Sequence, residues 1–328
     1  MDFIQNKKTL LNLLPNCCLV FTFMSILVFG RQFTALDVDK KTVYIGAYGM
    51  LVLFENHKLN SIPLPARFDE TCYVKYISTE DTCLWLVIST DTISYYKDFL
   101  YLYDLRGSYW QPVDSFHGVW SFINHGKIHV IGTDKGIVIF DKTSMKMKYR
   151  TPIFSGLTSS SIAADGDSIW IGFSSMFALI TPHTNFYHDF GKHIDVRLIE
   201  NIGEYIYIAT SNELLRYKKH TSALPEKITV PASYYNMMKL NLLSTDELVI
   251  SEVEFRSLKY NKALGRWVSY EIPDKEGLDW YDIYRIDQNF FIRNDTLWFA
   301  TPNVIYFIDL ARQKEFIELI TIEDIYKQ

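Results

Sequence analysis

One pattern recurs seven times along the chain and confines it to very few architectures. The segments VYIGAY (43–48), LWLVIS (84–89), HVIGTD (129–134), IWIGFS (169–174), IYIATS (206–211), LVISEV (248–253) and LWFATP (297–302) read alike. Each carries three or four apolar or aromatic residues and then, usually, a small one. The fourth residues are Gly46, Val87, Gly132, Gly172, Ala209, Ser251 and Ala300, at spacings of 41, 45, 40, 37, 42 and 49 residues. The mean of about 42 is the length of a four-stranded propeller blade.

The flanks repeat as well. A polar or glycine-bearing turn precedes each segment, such as Asn124-His125-Gly126 and Asp165-Gly166-Asp167, which is hairpin chemistry. A second apolar run follows, such as Ile137 to Phe140 and Ile305 to Ile308. A more amphipathic fourth run ends near Pro63, Pro112, Pro152, Pro231 or Pro273. That placement suits an outer edge strand, which need not donate every N–H. The central segments are apolar on both pleat faces, as in Ile169, Trp170 and Ile171. A strand of this kind is buried on both sides, whereas a two-layer sandwich would alternate apolar and polar residues. No sustained 3.6-residue period follows residue 30, which excludes helical solenoids. Setting aside residues 1–30 leaves room for seven units of about 43 residues. The sequence therefore predicts an all-β chain: one seven-bladed β-propeller over residues 31–328, with four antiparallel strands per blade. Gln32 to Val38 would supply the first inner strand, and the last blade would end near Ile320. Composition agrees, with 22 Phe, 22 Tyr and 7 Trp making 16% aromatic residues and favouring a pleated surface.

Residues 1–30 stand apart. Lys7 and Lys8 precede a largely apolar run from Cys17 to Gly30, free of the Asn and Pro that interrupt residues 9–16. It is shorter than the roughly 20 residues of a spanning helix and matches the core of a signal peptide. We read it as a signal peptide cleaved before Arg31, with an uncleaved N-terminal anchor through residues 9–30 as the alternative. The expected location is extracytoplasmic, either periplasmic or secreted, or membrane-anchored in the alternative. Cys72 and Cys83 fall at opposite ends of neighbouring antiparallel strands, too far apart for a disulfide, so two free thiols are expected. Lys and Arg number 33 against 38 Asp and Glu, a net charge of -5 with no basic run. That balance gives no footprint for nucleic acid and no polybasic patch for lipid.

Three stretches carry a resemblance. GKIHVIGTDKGIVIFD (126–141) resembles the repeat of the two-component-regulator propellers and of their looser kelch-like and YVTN-like relatives. DSIWIGFSSMFALITP (167–182) and EYIYIATSNELLRYKK (204–219) look like degraded copies. The likeness spans about residues 31–320, is specific for architecture and says little of chemistry. It implies an extracytoplasmic propeller of sensory character. No kinase core or DNA-binding domain follows Ile320, so the expectation is a stand-alone propeller without its own output. No Trp-Asp dipeptide closes a strand, so WD-type repeats fit less well.

A propeller presents ligands where its inner strands begin and where its second and third strands turn. The inner-strand entries contribute His117, Trp120, His193, Asp195, Asp279 and Trp280. The turns contribute Tyr48, Asp134 and Asn212. Aromatic rings beside polar groups suit a sugar or peptide site. Trp120, Trp280, Asp279, Asp134, Asn212 and Tyr48 are therefore the expected binding residues. Trp85, Trp170 and Trp298 hold equivalent positions in units 2, 4 and 7, which predicts packing between units. If the chain is an enzyme, His117 and His193, with Asp195 nearby, would serve as acid and base at the channel. His183, His188 and His193 recur every five residues, a spacing that fits neither a helical nor a strand metal site. No metal or cofactor is expected. Gly-x-Ser-x-Gly, phosphate-loop and HExxH motifs do not occur.

Three functional readings follow. The first is a non-enzymatic exported propeller that binds a protein, peptide or glycan ligand on its top face, with a sensory flavour. The second is a propeller lyase or hydrolase for a small substrate at the channel mouth. The third is a structural assembly subunit.

Overall fold

A computed structural model of the chain describes residues 33–39, 42–56, 58–90, 97–151, 159–173, 176–181, 185–189, 196–210, 213–219, 225–228, 239–244, 247–251, 255–261, 266–271, 290–293, 296–300, 304–309, 317–321 and 324. The expected leader, residues 1–30, lies outside them.

Seven four-stranded sheets form among the described residues, each an antiparallel meander in chain order. The first is β1 (Phe33–Asp39), β2 (Thr42–Ala47), β3 (Met50–Glu55) and β4 (Lys58–Pro63). The second is β5 (Cys72–Glu80), β6 (Cys83–Thr90), β7 (Lys97–Asp104) and β8 (Tyr109–His117). The third is β9 (Val119–His125), β10 (Ile128–Thr133), β11 (Gly136–Asp141) and β12 (Lys146–Thr151). The fourth is β13 (Ser159–Asp165), β14 (Ser168–Phe173), β15 (Met176–Ile180) and β16 (Asn185–Asp189). The fifth is β17 (Val196–Ile202), β18 (Tyr205–Thr210), β19 (Leu214–Lys218) and β20 (Glu226–Ile228). The sixth is β21 (Lys239–Ser244), β22 (Glu247–Ser251), β23 (Phe255–Asn261) and β24 (Arg266–Glu271). The seventh is β25 (Phe290–Arg293), β26 (Thr296–Ala300), β27 (Val304–Asp309) and β28 (Ile317–Thr321). The first four residues of every repeated segment lie in the second strand of its sheet.

Tight turns join the first two strands. Glu80 pairs with Cys83, His125 with Ile128, Asp165 with Ser168 and Ile202 with Tyr205, leaving two residues in each turn. The first turn residue has positive φ in all four: Asp81, Gly126, Gly166 and Gly203. Three of the four are glycine because L side chains resist that region.

The second strands of the first four sheets are packed on both faces because each face meets a different neighbour. Leu84, Leu86 and Ile88 of β6 pack with Ala35, Tyr44 and Leu51 of the first sheet. The alternate residues Trp85 and Val87 pack with Ile131, Val138 and Phe140 of the third. Val130 and Ile137 meet Ile169, Ile171 and Phe173 of the fourth sheet, and Phe177 meets Ile199, Ile206 and Ile208 of the fifth. The period of two along the strand thus distributes burial between two interfaces. β17 also touches β21, β21 touches β25, and β26 returns to touch β1. Ile305 and Trp298 of the seventh sheet pack with Phe33, Leu36 and Ile45 of the first.

The three equivalent tryptophans behave alike. Trp85 lies on the third sheet, Trp170 on the fifth and Trp298 on the first. Pro63 and Pro112 sit on outermost strands, as expected; Pro152, Pro231 and Pro273 lie outside the described residues. Cys72 pairs with Thr90 and Cys83 with Glu80, at opposite ends of one ladder, and both thiols are free. Among the described residues no helix is long and apolar enough to cross a membrane.

Candidate functional site

Five of the innermost strands share an irregularity. β1 skips one residue between Phe33 and Ala35, β5 between Val74 and Tyr76, and β9 between Val119 and Ser121. β13 skips between Ser159 and Ser161, and β17 between Val196 and Leu198. The bulged residues are Thr34, Lys75, Trp120, Ser160 and Arg197, all at the start of their strands. A bulge leaves its extra residue out of the ladder and re-aims its side chain. Bulged residues of adjacent sheets lie close: Thr34 Oγ1 donates to Val74 O at 2.6 Å, and Lys75 Nζ lies 5.2 Å from the centre of the Trp120 ring.

Trp120 stands out within this set. The large exposed apolar side chains among the described residues are Tyr109, Trp120, Met147, Phe186 and Tyr187. Four of them lie on the outermost strand of a sheet; Trp120, 44% exposed, lies on an innermost one. The residue is nonetheless fixed through both its indole and its backbone. Nε1–H donates to Asp134 Oδ1, and the Trp120 carbonyl accepts from the Tyr76 hydroxyl at 2.6 Å. Tyr76 in turn packs on Phe122, with ring centres 5.9 Å apart.

Asp134 is the organising acid. It occupies the β10–β11 turn, and its N–H donates to His117 O at 3.3 Å and Gly118 O at 3.1 Å. Oδ2 meets His117 Nδ1 at 3.0 Å. The carboxylate therefore takes the indole on one oxygen and the imidazole on the other. Gly118 permits that approach. Its φ is +57°, and a Cβ there would lie 2.7 Å from Asp134 Cγ.

Beneath the surface lies a second carboxylate. Asp98 on β7 is 1% exposed. Its Oδ2 accepts the Val119 N–H and lies 3.5 Å from Lys75 Nζ. Its Oδ1 has no hydrogen-bond partner among the described residues. The Lys75 ammonium is thus anchored to a buried acid on one side and faces the Trp120 ring on the other.

The structure brings together His117, Trp120 and Asp134 from the expected set. Two placements are corrected. Trp120 is not in an entry loop but is the bulge of β9, because Val119 already pairs with Thr133. His117 ends β8, with Gly118 alone linking it to β9. Tyr48 holds the corresponding corner of the first sheet, where it bridges to Tyr73 with ring centres 5.1 Å apart. His193, Asp195, Asn212, Asp279 and Trp280 lie outside the described residues. His188 stacks on Phe177 in the outer strand β16. Among the described residues no three His, Cys, Asp or Glu side chains gather as a metal site. Sequence reasoning missed Lys75, Asp98 and Gly118. Alignment of the first strands on their second-strand partners would have exposed the bulge and, with it, Lys75.

No family model matches the chain, and no curated protein matches it by sequence. Its fold does match solved structures. The tricorn protease aligns with a TM-score of 0.63 at 12% identity, covering 90% of this chain and 34% of that one. Chaetomium thermophilum Raptor aligns at 0.60 and 13% identity, covering 88% of this chain and 28% of that one. Kluyveromyces lactis Hsv2 aligns at 0.57 and 8% identity, over 88% of this chain and 98% of that one. This chain thus spans about a third of the first two and nearly all of the third. Hsv2 and the tricorn protease are β-propellers. At these identities the likeness shows the fold alone: an all-β, propeller-like assembly of antiparallel four-stranded sheets.

Proposed function

We propose that the chain is a closed seven-bladed propeller, exported and then cleaved or anchored through residues 9–30, that serves as a binding module. The contacts of β26 with β1, and of Trp298 with the first sheet, support closure. Ligand, whether protein, peptide or glycan, engages the face where the inner strands begin. One observation carries this reading: an exposed tryptophan on an innermost strand, its indole held at Nε1 by the Asp134 carboxylate and its backbone carbonyl held by the Tyr76 phenol. An exposed aromatic that is already ordered binds with little further entropy cost. The extracytoplasmic setting and sensory character come from the leader and the resemblance in the repeats.

The His117–Asp134 pair favours one other reading, a propeller enzyme, because a carboxylate on Nδ1 orients an imidazole for proton transfer at Nε2. The test is a binding screen of the exported protein against immobilised glycans and peptides, with Trp120→Ala and Asp134→Asn in parallel. Binding lost in both variants supports the module; equal binding by all three proteins removes this face from the function. Turnover of a small substrate that vanishes in His117→Gln would favour the enzyme.

A further inference from the structure

We infer that the Trp120 corner takes a neutral sugar: a pyranose ring stacked on the open indole face, with its hydroxyls on Asp134 and His117. The inference rests on the binding-module reading and narrows its ligand. Aromatic faces receive three kinds of partner, namely cations, other aromatic or apolar groups, and the C–H face of a sugar. The site discriminates among them.

Lys75 already places an ammonium 5.2 Å from the centre of the Trp120 ring, and the buried Asp98 carboxylate keeps that ammonium in place. A cation held near the ring draws on the same quadrupole that a ligand cation would use. The open face is thereby weakened for an Arg or Lys side chain. A neutral C–H face suffers no such repulsion from Lys75.

The polar rim fits the same ligand. Each Asp134 oxygen accepts one bond, from Trp120 Nε1–H and from His117 Nδ1, and a carboxylate oxygen has capacity for a second. Asp134 can therefore accept two hydroxyl protons without surrendering the indole or the imidazole. His117 Nε2 has no protein partner among the described residues and offers a further polar contact. The side chains of His117 and Asp134 are 48% and 32% exposed, so both are reachable. A ring held at its Nε1 edge by Asp134, with His117 beside that carboxylate, sets polar groups where the hydroxyls at the edge of a stacked pyranose can reach them. A purely apolar ligand would leave Asp134 covered without a partner, which is costly.

The test is calorimetric titration of the full exported protein with neutral hexasaccharides of glucose, mannose and N-acetylglucosamine. Uronic-acid hexasaccharides and Arg-rich and Pro-rich peptides form the parallel arms. The expected result is binding of at least one neutral hexasaccharide, weakened at least tenfold in Trp120→Ala and in Asp134→Ala and about threefold in His117→Ala. Trp120→Phe retains a platform and guards against misfolding; it should bind within about fivefold of the parent and melt at the same temperature. Peptide binding that depends on Trp120, without sugar binding, would overturn the sugar inference and leave the binding module standing. Uronic-acid binding stronger than neutral binding would also overturn it. Sugar binding unchanged in Trp120→Ala would remove both readings from this corner, and no binding in any arm would do the same.

Discussion

Lys142 Nζ lies 2.7 Å from Glu80 Oε1, across the boundary between the third sheet and the second. The same ammonium donates to Asn124 Oδ1 at 2.8 Å, and Glu80 Oε2 accepts the Trp85 indole N–H at 2.9 Å. This latch recurs between the fifth and fourth sheets. Lys219 Nζ lies 3.0 Å from Asp165 Oδ1, and Asn201 Nδ2 donates to the Ala164 carbonyl at the same boundary. The positions correspond: Lys142 N donates to Lys127 O, and Lys219 N to Glu204 O. Tryptophan is repeated too, as Trp85 and Trp170. Two consecutive sheets, with alternating acid and lysine, form the unit that repeats here.

A double-mutant cycle should therefore find coupling between Lys142 and Glu80. The Lys142 side chain is 8% exposed and that of Glu80 38%, so the pair lies between the surface and buried regimes. Lys142→Met and Glu80→Gln, singly and together, should give a coupling of about 1–2 kcal/mol in urea unfolding. The Lys219–Asp165 pair should give the same sign. Additivity at both boundaries would mean that the latch contributes no net stability.

His129 gives the chain a defined acid sensitivity. The residue is fully buried, its ring 4.4 Å from that of Trp85 and 4.9 Å from that of Phe122. Burial, with a smaller push from Lys142, lowers its pKa from the ordinary value of 6.5 to about 3. The folded state thus holds the ring neutral while the unfolded chain protonates below pH 6.5. Stability is unaffected above that value and falls as pH drops towards 3. At about 1.4 kcal/mol per unit, the loss is roughly 2 kcal/mol by pH 5. Among the described residues neither ring nitrogen makes a well-formed hydrogen bond, the Ile123 backbone acting on the ring only weakly, so an apolar replacement gives up little. His129→Leu should match the parent melting temperature near pH 8 and exceed it at pH 5. Equal slopes of stability against pH in the two proteins would contradict this account.

The proposed closure of the ring predicts a large cost at a residue far along the chain. Trp298 packs on the cluster that contains Phe33, Val38 and Ile45. Trp298→Ala should cost about 3 kcal/mol, read as a lower urea midpoint with an unchanged slope. A shift below about 1 kcal/mol would place the indole at a free surface and argue against closure.

Much of this was legible because burial between sheets leaves a double signature. Leu84 and Leu86 face one neighbour, while Trp85 and Val87 face the other. Only a strand covered on both sides needs apolar residues at every position, so the second strands announced themselves. Gly126, Gly166 and Gly203 marked the turns for a separate reason, their positive φ. The site was half legible. Asp134 lies in the turn after a second strand, where the sequence put it, whereas Trp120, expected in an entry loop, is a bulge inside β9. Lys75 and Asp98 were missed, because both lie inside strands whose polar residues read as a solvated face. The bulge at Trp120 is a property of pairing between β9 and β10, and no single strand encodes it.

Gly118 offers the sharpest test of how the corner is built. It is the single residue between His117 and Val119, so it sets where β8 hands over to β9. Its φ of +57° is strained for any residue with a side chain, at about 1–2 kcal/mol. The added methyl of Gly118→Ala would also lie 2.7 Å from Asp134 Cγ and 2.9 Å from Oδ1. The backbone strain lowers global stability, while the clash acts on Asp134 alone and forces it away from His117 and the Trp120 indole. The two effects separate by measurement. Gly118→Ala should lower the unfolding free energy by about 2 kcal/mol and leave the Trp120 indole N–H without its carboxylate. An amide NMR spectrum should show that indole resonance moved upfield and exchanging faster, with the Trp85 resonance, held by Glu80, unchanged. Asp134→Ala supplies the control, because it removes the acceptor without touching Gly118 φ. It should reproduce the shift in the Trp120 resonance with less loss of stability. Loss of stability in Gly118→Ala with an unmoved Trp120 resonance would mean that Asp134 yields without releasing the ring, and that the indole is held by packing instead.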